Sequence, residues 1–288
     1  MISKLLHRAA AGLFGVLLAV VASASPAAQG GPKVAVVAFG LFGDQSVFES
    51  EANGAARIVA KNFGGGPVIV RANSKTREDA TIKTLAASLR SAAKTMDAEH
   101  DVLFLILTSH GSPDGLAVKA GNRSETLSPS TLAGMLDAAR VRRRVVIISA
   151  CYSGIFIPPL ANADTLVITA ADAHHPSFGC QDGAKWTYFG DALFNVALRQ
   201  RANLRDAFAL ARTLVRKRER QNGFAASNPQ IAGGEKIEPL LNRGSTAPTS
   251  GAIERAQGHQ ETGDFRKLMA FTRLEPSDGL PFYSGAKR

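Results

Sequence analysis

Five short apolar runs, each of strand length, constrain this 288-residue chain more than any other feature. They are "KVAVVAF" (33–39), "PVIVRA" (67–72), "VLFLILT" (102–108), "RVVIISA" (144–150) and "TLVITAA" (165–171). Unbroken apolar runs of this length belong to strands covered on both faces. Helical patterns separate them. Residues 46–63 read as a helix capped by Ser46, with Glu49 completing a capping box. In residues 77–96, Ile82, Leu85, Ala86 and Leu89 fall on one helical face. Residues 128–139 are capped by Ser128 with Pro129 at the first helical position. Two more helical patterns cover 188–200 and 204–221. Alternation of this kind predicts an α/β fold: a mostly parallel central sheet between two helical layers, α/β/α. In such sheets functional groups collect beyond the carboxyl ends of the strands.

The first residues are set apart from that pattern. Lys4, His7 and Arg8 precede an apolar run, Ala9 to Val21, which is too short to span a bilayer comfortably. "ASA" at 22–24 then fits a cleavage site, so residues 1–24 read as a signal peptide. The expected product is exported, periplasmic or secreted, with no stable membrane insertion after cleavage. The chain is 45% hydrophobic and carries a net charge of +10. The basic clusters "RVRRR" (140–144) and "RKRER" (216–220) sit at helix ends and faces. No nucleic-acid motif accompanies them, so they read as solvated surface. Residues 31–230 form the expected folded domain. The remainder, 231–288, reads as a linker and a C-terminal tail that is partly ordered at most.

Two strand ends break their own pattern. "VLFLILTSHG" ends in His110 and Gly111; "RVVIISACYSG" ends in Cys151 with Gly154 close behind. A thiolate is a strong nucleophile, and a histidine brought beside it can take and return its proton. The two need not be close in sequence if adjacent strands deliver them to one sheet edge. The backbone N–H groups of Gly111 and Cys151 would then be available to an oxyanion. From the residues alone this remains open, because buried cysteine also serves as a small hydrophobe and histidine as a turn residue. A serine hydrolase is excluded by the lack of a G-x-S-x-G elbow. "DAHH" (172–175) lacks a further ligand at useful spacing, so no metal is expected.

"LTSHG", "SACYSG" and "WTYFGDAL", in that order, resemble the legumain family of cysteine peptidases, relatives of the caspases. The likeness is greatest to exported bacterial members. It implies a caspase-like fold, with Cys151 as nucleophile and His110 as general acid and base of an endopeptidase acting through a thioester. The substrate partner would be a peptide or protein, and no cofactor is implied. Asp191 matches the family's pocket aspartate, with Ser177 and His175 falling nearby as further substrate-binding candidates. Other parts of the family's pocket have no match, which leaves the residue preferred before the cut unassigned. A transpeptidase or transamidase using the same pair, and a non-catalytic binding module on the same fold, are the alternatives. Cys180, in the loop after the fifth strand, reads as a packing thiol or as a partner for a disulfide with Cys151.

Overall fold

The computed structural model describes residues 31–201 and 203–243. The expected signal peptide and the tail beyond 243 lie outside the described residues. In chain order the elements begin with β1 (Val34–Gly40), α1 (Ser46–Phe63), β2 (Gly65–Ser74), β3 (Arg77–Glu78) and α2 (Ile82–Ala93). β4 (Val102–Thr108) leads into a small excursion, β5 (Gly111–Ser112), β6 (Gly115–Ala120) and β7 (Arg123–Leu127). There follow α3 (Pro129–Ala138), β8 (Arg144–Ser149), a 3-10 turn (Ser153–Phe156), α4 (Ile157–Leu160) and β9 (Thr165–Thr169). The last stretch is α5 (Tyr188–Gly190), a π-helical segment (Asp191–Ala197), α6 (Leu198–Gln200), α7 (Leu204–Gln221), β10 (Gln230–Gly233) and α8 (Glu238–Arg243).

The main sheet runs β10-β9-β8-β4-β1-β2-β3. Its β2-β1-β4-β8-β9 centre is parallel, and β10 and β3 pair antiparallel at the two edges. β1, β4 and β9 are buried along their whole length, which is why their sequences are unbroken apolar runs. Alternate residues face opposite layers. Val34, Val36 and Ala38 of β1 pack with Ala52, Ala55 and Val59 of α1 and Ala207, Phe208 and Ala211 of α7. Ala35, Val37 and Phe39 pack with Leu85 and Leu89 of α2 and Leu132 and Leu136 of α3. Each fully buried aliphatic or aromatic side chain of this kind contributes about 1.5–3 kcal/mol.

Three expectations are corrected. Ser46 does not cap α1: its N–H and hydroxyl both donate to Asp182, Gln45 is the capping residue, and no side-chain cap bond forms. The helix expected over 77–96 starts at Ile82, with Thr81 and Thr84 forming the reciprocal capping box, while Arg77–Glu78 is strand. The domain does not stop at 230. β10 pairs with β9, and Ile237 and Leu241 are buried in the core, so residues 231–243 belong to the fold.

Candidate active site

The register of the sheet positions the site. Thr108 of β4 pairs with Ser149 of β8, so His110 and Cys151, each two residues further on, leave corresponding points of adjacent parallel strands. The chain entered the sheet at β1, ran outward to β2, then returned to β4 on the other side of β1. The site therefore stands next to the point where strand order reverses, where open α/β sheets keep their ligand crevices. His110, Cys151, Ser177, Phe178, Cys180 and Thr187 all line one narrow cleft, partly open to solvent.

Gly111 sets how close the two strand ends come. A side chain there would put its Cβ 2.0 Å from the Cys151 carbonyl oxygen and 3.2 Å from Ala150 Cβ. The glycine is thus needed for the close approach of β8's end. Ala117 N–H donates to His110 O at 3.0 Å, which makes Gly111 and Leu116 a non-hydrogen-bonded pair. In that position the Gly111 N–H points away from β6.

His110 is half-buried between two rings, edge-on to Phe42 at 4.6 Å and to Phe48 at 5.0 Å. Its Nε2 meets the Gln45 side-chain oxygen. That oxygen accepts, so the ring proton is assigned to Nε2, leaving Nδ1 as the basic nitrogen. Burial disfavours the imidazolium and holds its pKa below the ordinary 6.5. A neutral, oriented imidazole is what a general base at neutral pH requires.

Cys151 Sγ accepts from Ser177 N–H at 3.2 Å and lies 3.3 Å from Ser177 O. The next residue, Tyr152, sits in the left-handed region at φ 55, ψ 16. For a tyrosine that costs on the order of 1–3 kcal/mol and persists only where the surroundings impose it. Here Tyr152 N–H donates to His175 O at 2.9 Å. Gly154 lets the turn close, since a Cβ there would fall 2.5 Å from Ala173 N. Among the described residues the Cys151 N–H donates to no backbone carbonyl.

The wall opposite is the loop 172–187, fastened at several points. Trp186 packs on Gly54 of α1, where a Cβ would meet its ring at 2.4 Å. Asp182 holds Ser46 and Lys75, and these contacts keep its carboxyl down at about 2. Tyr188 N–H donates to Phe178 O at 3.0 Å. Cys180 lies in this wall as a free thiol, as is Cys151. Burial, and next the neighbouring Cys151, push the Cys180 thiol above its ordinary value.

The sequence-based pocket candidates divide. Ser177 is in the cleft, touching Cys151 through its backbone. His175 supports the Cys151 turn through its carbonyl, while its Nδ1 pairs with Asp172 at 2.7 Å, outside the cleft lining. Asp191 lines a separate surface pocket. There it pairs with Arg218 at 3.3 Å and accepts from Asn195 at 2.9 Å, and Arg218 lies 3.9 Å over the Tyr188 ring. The physical reason is the helix start: Thr187 caps it toward the cleft, and one turn on, Asp191 is carried round to face α7. Sequence reasoning missed Gln45, which carried no motif, and a buried acid, Glu51. Glu51 was detectable, because it interrupts the apolar stripe of Val47, Phe48, Ala52 and Ala55 on α1.

A model described as the Peptidase C13 family matches residues 73–236 of the chain. No curated protein matches it. Among solved structures, caspase-1 from Spodoptera frugiperda aligns with a TM-score of 0.50 at 14% identity, over 71% of this chain and 87% of that one. At that identity the likeness is one of fold: a caspase-like, mostly parallel sheet between helices.

Proposed function

The chain belongs to the peptidase C13 family and is a cysteine peptidase; from that premise we propose that Cys151 is its nucleophile and His110 its general acid and base, in an endopeptidase of legumain type. The observation that carries the proposal is the Thr108–Ser149 register, which delivers the two side chains to one cleft.

In this mechanism His110 Nδ1 takes the Cys151 thiol proton as sulfur bonds to the scissile carbonyl carbon. The oxygen gains the charge and is received by the N–H groups of Gly111 and Cys151. Two such donors are worth on the order of 3–4 kcal/mol each in the transition state. The tetrahedral species collapses with cleavage of the C–N bond, and His110 gives its proton to the departing amine. Water then attacks the thioester carbonyl, passes a proton to His110, and the acid leaves as sulfur is released and reprotonated. Gln45 keeps the imidazole turned with Nδ1 toward the cleft throughout. Ser177 and Cys180 line the substrate's path beside the sulfur. The leader-like first 24 residues support action outside the cytoplasm, which fractionation of the native host tests directly.

The test compares wild type, Cys151→Ala and His110→Ala on peptide cleavage and on iodoacetamide labelling of Cys151. Both variants should lose turnover, and His110→Ala should label more slowly at neutral pH. The double variant should cost little more than either single change, because the pair acts as a unit. Turnover surviving either single change excludes the dyad. Product masses with an added amine separate hydrolysis from acyl transfer.

A further inference from the structure

Glu51 is a carboxyl with no access to solvent, inside a helix face that is otherwise apolar. Such a group is costly to bury unless it is satisfied, and the network around it joins three different elements. Thr108 Oγ1 at the end of β4 donates to Oε1 at 2.9 Å. Thr187 N–H, at the base of the wall, donates to Oε2 at 2.8 Å. The Ser149 hydroxyl at the end of β8 joins the network through Thr187. That hydroxyl lies 3.1 Å from Thr187 Oγ1, which in turn accepts from Gly190 N–H at 2.9 Å. Gly190 has room for nothing more, since a Cβ there would sit 2.0 Å from Glu51 Oε2. Thr108 is two residues before His110 and Ser149 two before Cys151. Ser149 and Thr187 both line the cleft.

We propose that Glu51 is a positioning residue for the peptidase reaction: its carboxyl ties the His110 strand end, the Cys151 strand end and the Thr187 wall into one arrangement. The proposal rests on Cys151 and His110 being the reacting pair. A closed network of this kind fixes spacing more firmly than apolar packing, because each polar member is strongly penalised for leaving it. Burial raises the carboxyl above its ordinary value, outweighing the hydrogen bonds that favour the anion. Once ionised, the same group opposes thiolate formation above it. Its charge would also oppose ionisation of the Cys180 thiol. Asp191, next to Gly190, is turned away to Arg218, and Glu49 on its own helix pairs with Arg77.

The experiment uses the full chain with Glu51→Gln, Glu51→Ala, Glu51→Asp and Cys151→Ala. The measurements are kcat and KM on a peptide the wild type cleaves, and thermal unfolding. Glu51→Ala should lower kcat roughly 100-fold, the scale of an ångström-level misplacement, with KM nearly unchanged. Glu51→Gln, which keeps the shape and one acceptor oxygen, should restore most of that kcat. If Glu51→Ala fails to fold, Glu51→Asp carries the same test, because it keeps the carboxyl and draws it back by about 1.5 Å. A folded Glu51→Ala or Glu51→Asp with wild-type kcat overturns the proposal, and so does a Glu51→Gln that recovers no more kcat than Glu51→Ala. Cleavage by Cys151→Ala is a different failure, since it removes the dyad itself.

Discussion

Replacing Gly111 by alanine adds one methyl group at the point where the two strand ends are closest. Its Cβ would lie 2.0 Å from the Cys151 carbonyl oxygen, which is backbone and cannot rotate away. Ordinary contacts to carbon lie near ~3.5 Å, so the ends of β4 and β8 must separate by about 1.5 Å. Both strands are buried and paired in register up to Thr108 and Ser149, so the strain falls on His110, Gly111 and Cys151 themselves. Overpacking of this kind costs about 1–3 kcal/mol, which in a domain of this size lowers Tm by about 2–4 °C per kcal/mol. The rate should suffer more. A displacement of the order of 1 Å between reacting groups can cost roughly 100-fold, and alanine keeps the Gly111 N–H, so the loss reports geometry rather than a deleted donor. The assay is kcat/KM with a cleaved peptide, beside thermal unfolding and Cys151 labelling. Wild-type kcat/KM and Tm in Gly111→Ala would refute the reasoning about strand-end spacing.

The remaining predictions concern the base, the displaced aspartate and the tail. Gln45→Glu puts a carboxylate on His110 Nε2, which raises the imidazole pKa and moves the acid limb of the kcat/KM profile to higher pH; an unmoved limb removes Gln45 from the site. In the wild type that limb should lie below pH 6.5, because burial disfavours protonated His110. Asp191→Ala breaks a partly exposed ion pair with Arg218, worth about 0–1 kcal/mol. It should leave the preference for the residue before the cut unchanged, whereas loss of a polar or basic preference would return Asp191 to the substrate pocket. Truncation after residue 243 removes only residues beyond those described. Faster cleavage and faster Cys151 labelling identify an inhibitory tail, while unchanged rates exclude one.

The parts of the fold that could be read from sequence are those in which one physical demand dominates. β1, β4 and β9 are covered on both faces, so apolar residues dominate them, and the register of β4 with β8 then brings His110 and Cys151 to one cleft. The excursion β5–β7 escaped notice because "GLAVKA" is a short, half-buried strand and Arg123–Leu127 is exposed over most of its length. β10 and α8 were missed for a similar reason: β10 is only partly buried, and in and just before α8 burial rests on Ile237 and Leu241, too few to make a periodic signal. Ser46 looked like a cap because capping chemistry is local, and it lost to Asp182, 136 residues away. Asp191 was matched by its motif, yet the motif says nothing of the direction a helix turns after Thr187. Glu51 shows the converse: an acid on an apolar stripe is a visible inconsistency, and such inconsistencies gather where structure serves chemistry.

The most direct test of the central claim, that Cys151 is the nucleophile, is mass-spectrometric sequencing of the products formed from a proteome-derived peptide library by wild type and by Cys151→Ala. The wild type should make a defined set of internal cuts, abolished by prior alkylation of Cys151 and absent in the alanine variant. The same cuts made by Cys151→Ala at a comparable rate would contradict the claim.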